Sequence, residues 1–156
     1  MSNGREARFN DPQAVLVDSA GIIYVSESFN CRIRRIDPAK GEHGEVTTLA
    51  GDSDTLLGSG GFSDGKGQRA KFSYPHGIAF DSKGNLLVAD TGNSVIRMVT
   101  KAGSVSTVCG KPGENKYVEG SIKQVRFKTP ADVAPGPDGS IFVVDTEVGR
   151  LRWIIP

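Results

Sequence analysis

The chain has 156 residues, with 19 Lys and Arg against 18 Asp and Glu, which gives a formal net charge of +1. This near-balance argues against a dedicated binder of nucleic acid or another polyanion, which usually carries a clear basic excess. No apolar run approaches the roughly 18 residues that a membrane span needs, and no signal-peptide core is visible at the N-terminus, so an intracellular location is favoured.

The chain repeats one sequence unit three times. The unit reads FNDPQAVLVDSAGIIYVSESFNCRIRRI from Phe9, FSYPHGIAFDSKGNLLVADTGNSVIRMV from Phe72 and FKTPADVAPGPDGSIFVVDTEVGRLRWI from Phe127, and the copies align without a gap. The identical columns are Phe9/Phe72/Phe127, Pro12/Pro75/Pro130, Gly21/Gly84/Gly139, Val25/Val88/Val143 and Arg34/Arg97/Arg152. Such periods indicate stacked units that bury their apolar faces against one another.

Each unit predicts four short strands. In the second unit they are GIAFD after Pro75, NLLVAD after DSKG, SVIRMV after DTGN, and SVSTVCG after TKAG. Short runs of Val, Ile and Leu between Gly, Asn and Asp turns are typical of antiparallel hairpins, and four-stranded units at this spacing are typical of β-propeller blades. We predict an all-β fold with blade 1 over 9–51, a linker over 52–71, blade 2 over 72–110, a linker over 111–126 and an incomplete blade 3 over 127–156.

The pattern P-x-G-I-A-x-D-x-x-G-x-L-x-V-A-D-x-x-N-x-x-I-R, followed by V-x-T-L-A-G, resembles the NHL repeat over nearly the whole chain. The second unit fits best, with Gly77, Asp81, Gly84, Asp90, Asn93 and Arg97 in place. The first unit departs at Glu27, where the family has Asp, and the third departs at 135–137 (Pro-Gly-Pro) and at Val148. Because proline cannot donate to a ladder, the first strand of the third unit is expected to weaken near its end.

The resemblance implies a closed ring of about six blades, of which this chain supplies nearly three. Three blades cannot close a ring and would expose apolar sheet faces. Three explanations stay open: the chain is a piece of a longer protein, two copies pair about a twofold axis, or another protein covers the open edges. In each case we expect protein partners or self-association to complete the propeller.

Related propeller enzymes place metal ligands or general bases where their innermost strands begin. The equivalent positions here follow the repeated prolines and are Gln13, His76 and Ala131, with Asp132 next to the last. Only His76 among the three could hold a metal firmly, whereas catalytic zinc normally needs three protein ligands, so we predict no cofactor. The other histidine, His43, lies in an inserted turn and is expected to be solvated.

Two further motifs are interpreted as structural. The Asp90–Asn93 turn is expected to bond backbone amides of the turn through its two polar side chains, as Asx residues do in tight turns. The glycine-rich stretch over 58–67 lacks the Lys-Ser/Thr ending of a phosphate loop and is expected to serve as a linker.

Arginines gather on the third strands: Arg32, Arg34, Arg35, Arg97, Arg150 and Arg152. The repeated column is most simply explained by ion pairs to Asp90 or Asp145 across a hairpin. Some NHL proteins bind single-stranded RNA on a basic face that carries stacking aromatics. Phe29 and Trp153 are the only aromatic residues near the arginines here, so nucleic acid is an unlikely partner.

The sequence therefore favours a non-catalytic protein-interaction scaffold built from NHL repeats. The candidate binding residues are Gln13, His76, Asp132, Arg32, Arg35, Arg97 and Trp153. A metal-dependent enzyme that resembles propeller lyases or lactonases, and an RNA-binding domain, stay as alternatives. Cys31 and Cys109 occupy different places in the repeat, which predicts free thiols.

Overall fold

The computed structural model describes residues 2–3, 6–52 and 60–156, so positions 53–59 of the predicted first linker lie outside the described residues. Its strands form three antiparallel sheets that follow one another along the chain. The first sheet contains β1 (Ser2–Asn3), β2 (Pro12–Val17), β3 (Ile23–Glu27), β4 (Arg32–Asp37) and β5 (Glu45–Ala50), in the order β1-β5-β4-β3-β2.

The second sheet contains β6 (Gly65–Lys66), β7 (Pro75–Phe80), β8 (Leu86–Asp90), β9 (Val95–Val99) and β10 (Ser104–Gly110), in the order β6-β10-β9-β8-β7. The third contains β11 (Pro130–Pro135), β12 (Ile141–Asp145) and β13 (Arg150–Ile154), in that order. We call the three sheets blades 1, 2 and 3. The prediction of an all-β fold made of about three propeller blades is confirmed.

The outer edges of blades 1 and 2 differ from the four-stranded prediction. A fifth strand of two residues pairs with the outermost predicted strand in each, β1 with β5 and β6 with β10. Two-residue strands carry no alternation that a sequence could reveal, because the strand period is itself two residues. Residues of the predicted 52–71 linker thus belong to the sheet of blade 2.

The expected weakening of the third unit's first strand is wrong. β11 extends to Pro135, which pairs with Ile141 of β12. β11 is the edge strand of its sheet and has a neighbour on one side only, so a proline at its end removes no ladder donor that a second neighbour would need.

The hydrophobic core lies between the blades. Tyr24 and Ile33 of blade 1 pack with Phe72 and Val88 of blade 2, and on the other side of blade 2 Ile96 packs with blade 3. Cys31 and Cys109 are buried free thiols. No helix among the described residues is long and apolar enough to span a bilayer.

Candidate functional site

A groove runs across the end of the blades at which β2, β7 and β11 begin. We call this end the top face. The groove has a volume of about 450 Å³ and draws its walls from all three blades and from the segments that connect them. Its lining residues are Asp11, Gln13, Ser28, Phe29, Tyr74, His76, Thr91, Gly92, Ser94, Gly113, Asn115, Lys128 and Thr129.

A β-bulge at the start of each inner strand positions two of the predicted residues. The register shifts between Pro12 and Ala14 in β2, between Pro75 and Ile78 in β7, and between Pro130 and Asp132 in β11. Bulges re-aim a side chain out of the ladder. Gln13 and His76 fall within the first two bulges, and both line the groove.

Asp132, the third predicted residue, is not part of the groove lining. Its side chain is exposed, and its Oδ1 accepts a hydrogen bond of 2.9 Å from the backbone N–H of Val133. Asp132 packs against Gly77, where a Cβ atom would lie 2.7 Å from the Asp132 Cα atom. The structure therefore brings Gln13 and His76 together and leaves Asp132 outside. Among the described residues, no group of three or more His, Cys, Asp or Glu could hold a metal ion.

An aromatic corner stands on the groove wall at the boundary of blades 1 and 2. The rings of Phe29 and Tyr74 meet edge to face, with centroids 6.2 Å apart and planes at 84°. Phe29 is 51% exposed and Tyr74 45% exposed. The repeat alignment carries a signal for this corner: Phe29 shares a column with Gly92 and Glu147, and Tyr74 with Asp11 and Thr129, so an aromatic residue interrupts two small or polar columns.

Tyr74 is held in a left-handed backbone conformation, with φ of 48°. This conformation costs a bulky residue about 1–2 kcal/mol. The preceding residue fixes it, because the backbone N–H of Ser73 donates to Asp90 Oδ1 at 2.8 Å and the Ser73 carbonyl accepts from the Gly92 N–H at 2.8 Å. The surrounding turn thus presents the tyrosine ring in a fixed position.

The charged groups of the groove are already engaged. Gln13 Nε2 donates to Asp11 Oδ1 at 2.7 Å, and Lys128 Nζ pairs with Glu147 Oε1 at 3.2 Å. By contrast, the Ser28 side chain is 1% exposed, and its Oγ atom has no hydrogen-bond partner. A buried hydroxyl without a partner costs about 1–3 kcal/mol. The groove wall therefore contains one buried hydroxyl without a partner, and the neutral Gln13 does not compensate the charge of Asp11.

At the top face, side chains of one blade donate hydrogen bonds to backbone carbonyls at the start of the next blade. Ser26 Oγ donates to the His76 carbonyl at 2.6 Å, and Thr91 Oγ1 donates to the Pro130 carbonyl at 2.7 Å. Ser94 Oγ adds a bond of 3.0 Å to the Lys128 carbonyl. Hydrogen bonds between blades stabilise the relative positions of the groove walls.

The repeated arginines lie inside the blades. Arg97 is fully buried, and its guanidinium pairs at 2.7 Å with both Asp90 and Asp64. Arg152 repeats the arrangement with Asp145 and Glu119. The pairs with Asp90 and Asp145 are the ion pairs across a hairpin that the repeat column predicts, whereas Asp64 and Glu119 come from the linkers. The assignment of Arg97 as a binding residue stays a prediction.

Aromatic rings and linker carbonyls complete each arginine site. Arg97 lies over the rings of Phe62 and Phe72, at 4.6 and 5.1 Å from their centroids. It also donates to the carbonyls of Ser63 and Lys71. In the part of the chain that the structure describes, a buried arginine therefore joins each predicted linker to its blade.

Asp90 and Asn93 of the turn motif are expected to bond backbone amides of their own turn, but in the structure they bond other groups. Asp90 accepts from the backbone of Ser73, which lies ahead of the inner strand and not in the turn. Asn93 Nδ2 donates to Asp90 Oδ2 and to the Gly61 carbonyl, both at 2.8 Å. Burial raises the pKa of Asp90 to about 6, although the bonds from Asn93, Ser73 and Arg97 act in the lowering direction. The motif therefore joins the turn to the linker.

The remaining predicted residues lie away from the groove. Arg32 pairs with Glu27 at 2.7 Å and Arg35 with Asp37 at 3.3 Å. Trp153 is 61% exposed and stacks on Phe142 across a centroid distance of 6.0 Å, on the outer face of blade 3. Their assignment as binding residues stays a prediction.

Comparison with known proteins agrees with the blade architecture. The NHL repeat family profile matches residues 72–97, which cover β7, β8 and part of β9. Blade 2 therefore contains a match to the NHL repeat. NHL repeat-containing protein 2 of Homo sapiens is 29% identical over 139 residues, 86% of this chain and 19% of that protein. Protein SUPPRESSOR OF QUENCHING 1, chloroplastic, of Arabidopsis thaliana is 41% identical over 96 residues, 62% of this chain and 8% of that protein.

The chain thus spans less than a fifth of the length of these two relatives. Among solved structures, an auxiliary nutrient binding protein from Bacteroides ovatus superposes with a TM-score of 0.78 at 21% identity. The match covers 97% of this chain and 38% of that one. At this identity the likeness shows the propeller fold alone.

Proposed function

We propose that this NHL chain is a non-catalytic protein-interaction scaffold, a propeller segment whose two outer sheet faces are covered by further blades of the same kind. The support comes from residues that share a repeat column. In the column of Val15, Ile78 and Val133, the last two are 5% and 4% exposed at blade boundaries, whereas Val15 is 63% exposed on the outer face of blade 1.

The outer face of blade 3 shows the reverse pattern. In the column of Ile33, Ile96 and Leu151, the first two are fully buried and Leu151 is 70% exposed. Val15 therefore belongs to the side that each blade turns toward the preceding blade, and Leu151 to the side turned toward the following one. Contiguous exposed apolar surface of this kind marks an interaction site. The two faces are complementary, since each matches what the other meets at the internal boundaries.

The test is the assembly of the purified chain, measured by sedimentation velocity. We expect wild-type chains to associate head to tail through the Val15 and Leu151 faces, and Val15→Asp or Leu151→Asp to abolish the association. A mixture of the two variants retains one intact pair of faces, so it should form a dimer that neither variant forms alone. Ser82→Asp, in the exposed turn at the opposite end of blade 2, is the matched charge control.

Two results would contradict the proposal. One is a wild-type chain that stays monomeric over the whole concentration range. The other is association that both aspartate variants leave unchanged, because the contact would then use a different surface.

A further inference from the structure

We propose that the top-face groove binds an uncharged, extended peptide segment and that the aromatic corner of Phe29 and Tyr74 receives a proline ring of that peptide. This inference rests on the proposed scaffold function and names the class of segment that the scaffold would hold. It is carried by the shape of the corner, by the charge of the groove and by the unpartnered Ser28 hydroxyl.

The shape of the corner selects a compact ring. A planar ligand such as a nucleic-acid base stacks on one exposed ring face. Two rings at 84° with centroids 6.2 Å apart instead form two perpendicular walls, which contact a pyrrolidine ring on two sides at once. Aromatic-lined grooves are the usual receptors for proline-rich segments, whose stiff extended backbone loses little entropy on binding.

The charge of the groove argues against an anionic ligand. The cation Lys128 is paired with Glu147, and the anion Asp11 holds Gln13. A phosphate or a carboxylate would need a free cation in the wall. The remaining polar wall groups include His76 and Asn115, whose side chains can bond uncharged amides without a net charge.

The Ser28 hydroxyl supplies a donor that the chain leaves unused. In the same repeat column, Thr91 Oγ1 donates to the Pro130 carbonyl at 2.7 Å, whereas Ser28 Oγ has no partner. The bond preceding each proline is a tertiary amide, which offers a carbonyl acceptor and no N–H. A proline-bearing segment seated in the corner brings such an acceptor next to Phe29, and the buried Ser28 side chain would rotate toward the groove to bond it.

The experiment measures the fluorescence anisotropy of fluorescein-labelled deca-L-proline titrated with the full chain. Phe29→Ala and Tyr74→Asn remove one wall of the corner each, and asparagine tolerates the left-handed backbone at position 74. We expect saturable binding that each variant weakens about tenfold or more, as truncation of a buried aromatic anchor does.

Ser28→Ala separates a role in binding from a role in folding. Removing an unpartnered buried hydroxyl should leave the urea midpoint of unfolding unchanged or higher, while peptide binding weakens about threefold, the effect of one lost hydrogen bond. Ser82→Ala, in the exposed turn at the opposite end of blade 2, is the matched hydroxyl control and should change neither quantity.

Unlabelled cellohexaose and a uridine decamer are titrated as competitors. The inference is overturned if deca-L-proline shows no saturable binding, if its binding is insensitive to Phe29→Ala, or if only the saccharide or the RNA binds in a way that this variant abolishes. A chain that associates through the Val15 and Leu151 faces but fails here loses this inference alone, because the two assays use different surfaces.

Discussion

Arg97 connects a strand of blade 2 to the segment that precedes the blade. Its guanidinium joins the end of β8, the linker acid Asp64 and two linker carbonyls between two aromatic rings. The ion pair with Asp90 follows from the repeat column. The contacts with Asp64 and Phe62 join residues more than 30 positions apart in the chain, and no local pattern indicates them.

We therefore predict that Arg97→Ala lowers the free energy of unfolding by about 3–5 kcal/mol, because it leaves the buried Asp90 without its counter-charge. Urea denaturation followed by circular dichroism measures the loss. Arg97→Met combined with Asp90→Asn removes both charges and should cost less than the sum of the single changes. The exposed Arg69, changed to Ala, is the control and should stay within about 0.5 kcal/mol of wild type. An equal effect at both positions would refute the role of Arg97.

Glu27 shows how a departure from the repeat is accommodated. Its longer side chain reaches the backbone N–H of Asn10 at 2.9 Å while pairing with Arg32 and Arg34. Burial acts to raise the pKa of Glu27, but the hydrogen bonds from Arg32, Asn10 and Arg34 outweigh it and hold the pKa below the ordinary value of 4.5. The substitution therefore keeps the contact with the segment ahead of the inner strand that Asp90 makes with Ser73 in blade 2.

This depressed pKa predicts a pH dependence of blade 1. An acid whose pKa is lower in the folded state contributes stability above its unfolded pKa and loses it as the pH falls through the folded value. The difference in unfolding free energy between wild type and Glu27→Gln should thus be largest at neutral pH and shrink steadily below pH 4.5. Urea titrations from pH 7 to pH 3 test it. Glu42→Gln, with a side chain 88% exposed, should show no such trend.

At the scale of the elements, the start of each inner strand is irregular in all three blades. The repeated prolines predict where β2, β7 and β11 begin, and the structure begins each strand at the proline. A bulge follows the proline in all three strands, including β2, which has no preceding blade in this structure. The repeat alignment separates Asp132 from Gln13 and His76, because Ala131 shares their column, but it could not show which residues of neighbouring blades line the groove beside them.

The close approach of β7 and β11 leaves no space for a side chain at Gly77. A Cβ atom there would lie 2.0 Å from Asp132 Oδ1 and 2.7 Å from the Asp132 Cα atom, so the neighbouring strand itself must move. We predict that Gly77→Ala costs about 1–3 kcal/mol or more in urea denaturation. Because the backbone also clashes, adding Asp132→Gly should restore only part of the loss.

Gly113 provides the comparison. It has φ of 77° and no atom within 4 Å of an added Cβ, so Gly113→Ala tests the backbone strain of the left-handed conformation without a clash. That strain is about 1–2 kcal/mol. A Gly77→Ala variant as stable as wild type would show that the blades are not packed this closely.

At the scale of the whole molecule, the repeat predicts the blade and its four main strands, because apolar runs and turn residues recur in register. It also predicts that apolar faces stay open at both ends. What it cannot give is which side of each strand points outward at each end. The column of Val15 faces the preceding blade and the column of Leu151 faces the following blade, and this difference is visible only once the direction of stacking is known. The groove is likewise a product of stacking, since its walls come from three blades.

The space around Gly92 has a consequence for how such tandem units diversify. To copy the Phe29–Tyr74 corner to the boundary of blades 2 and 3, a phenylalanine would have to replace Gly92, where even a methyl group would come within 2.4 Å of Ser73 Oγ and 2.9 Å of the Ser73 carbonyl oxygen. Ser73, which holds Tyr74 in place, thus leaves no space for a second aromatic corner at the boundary of blades 2 and 3. Repeats with similar sequences therefore tolerate different residues at this end of the blades.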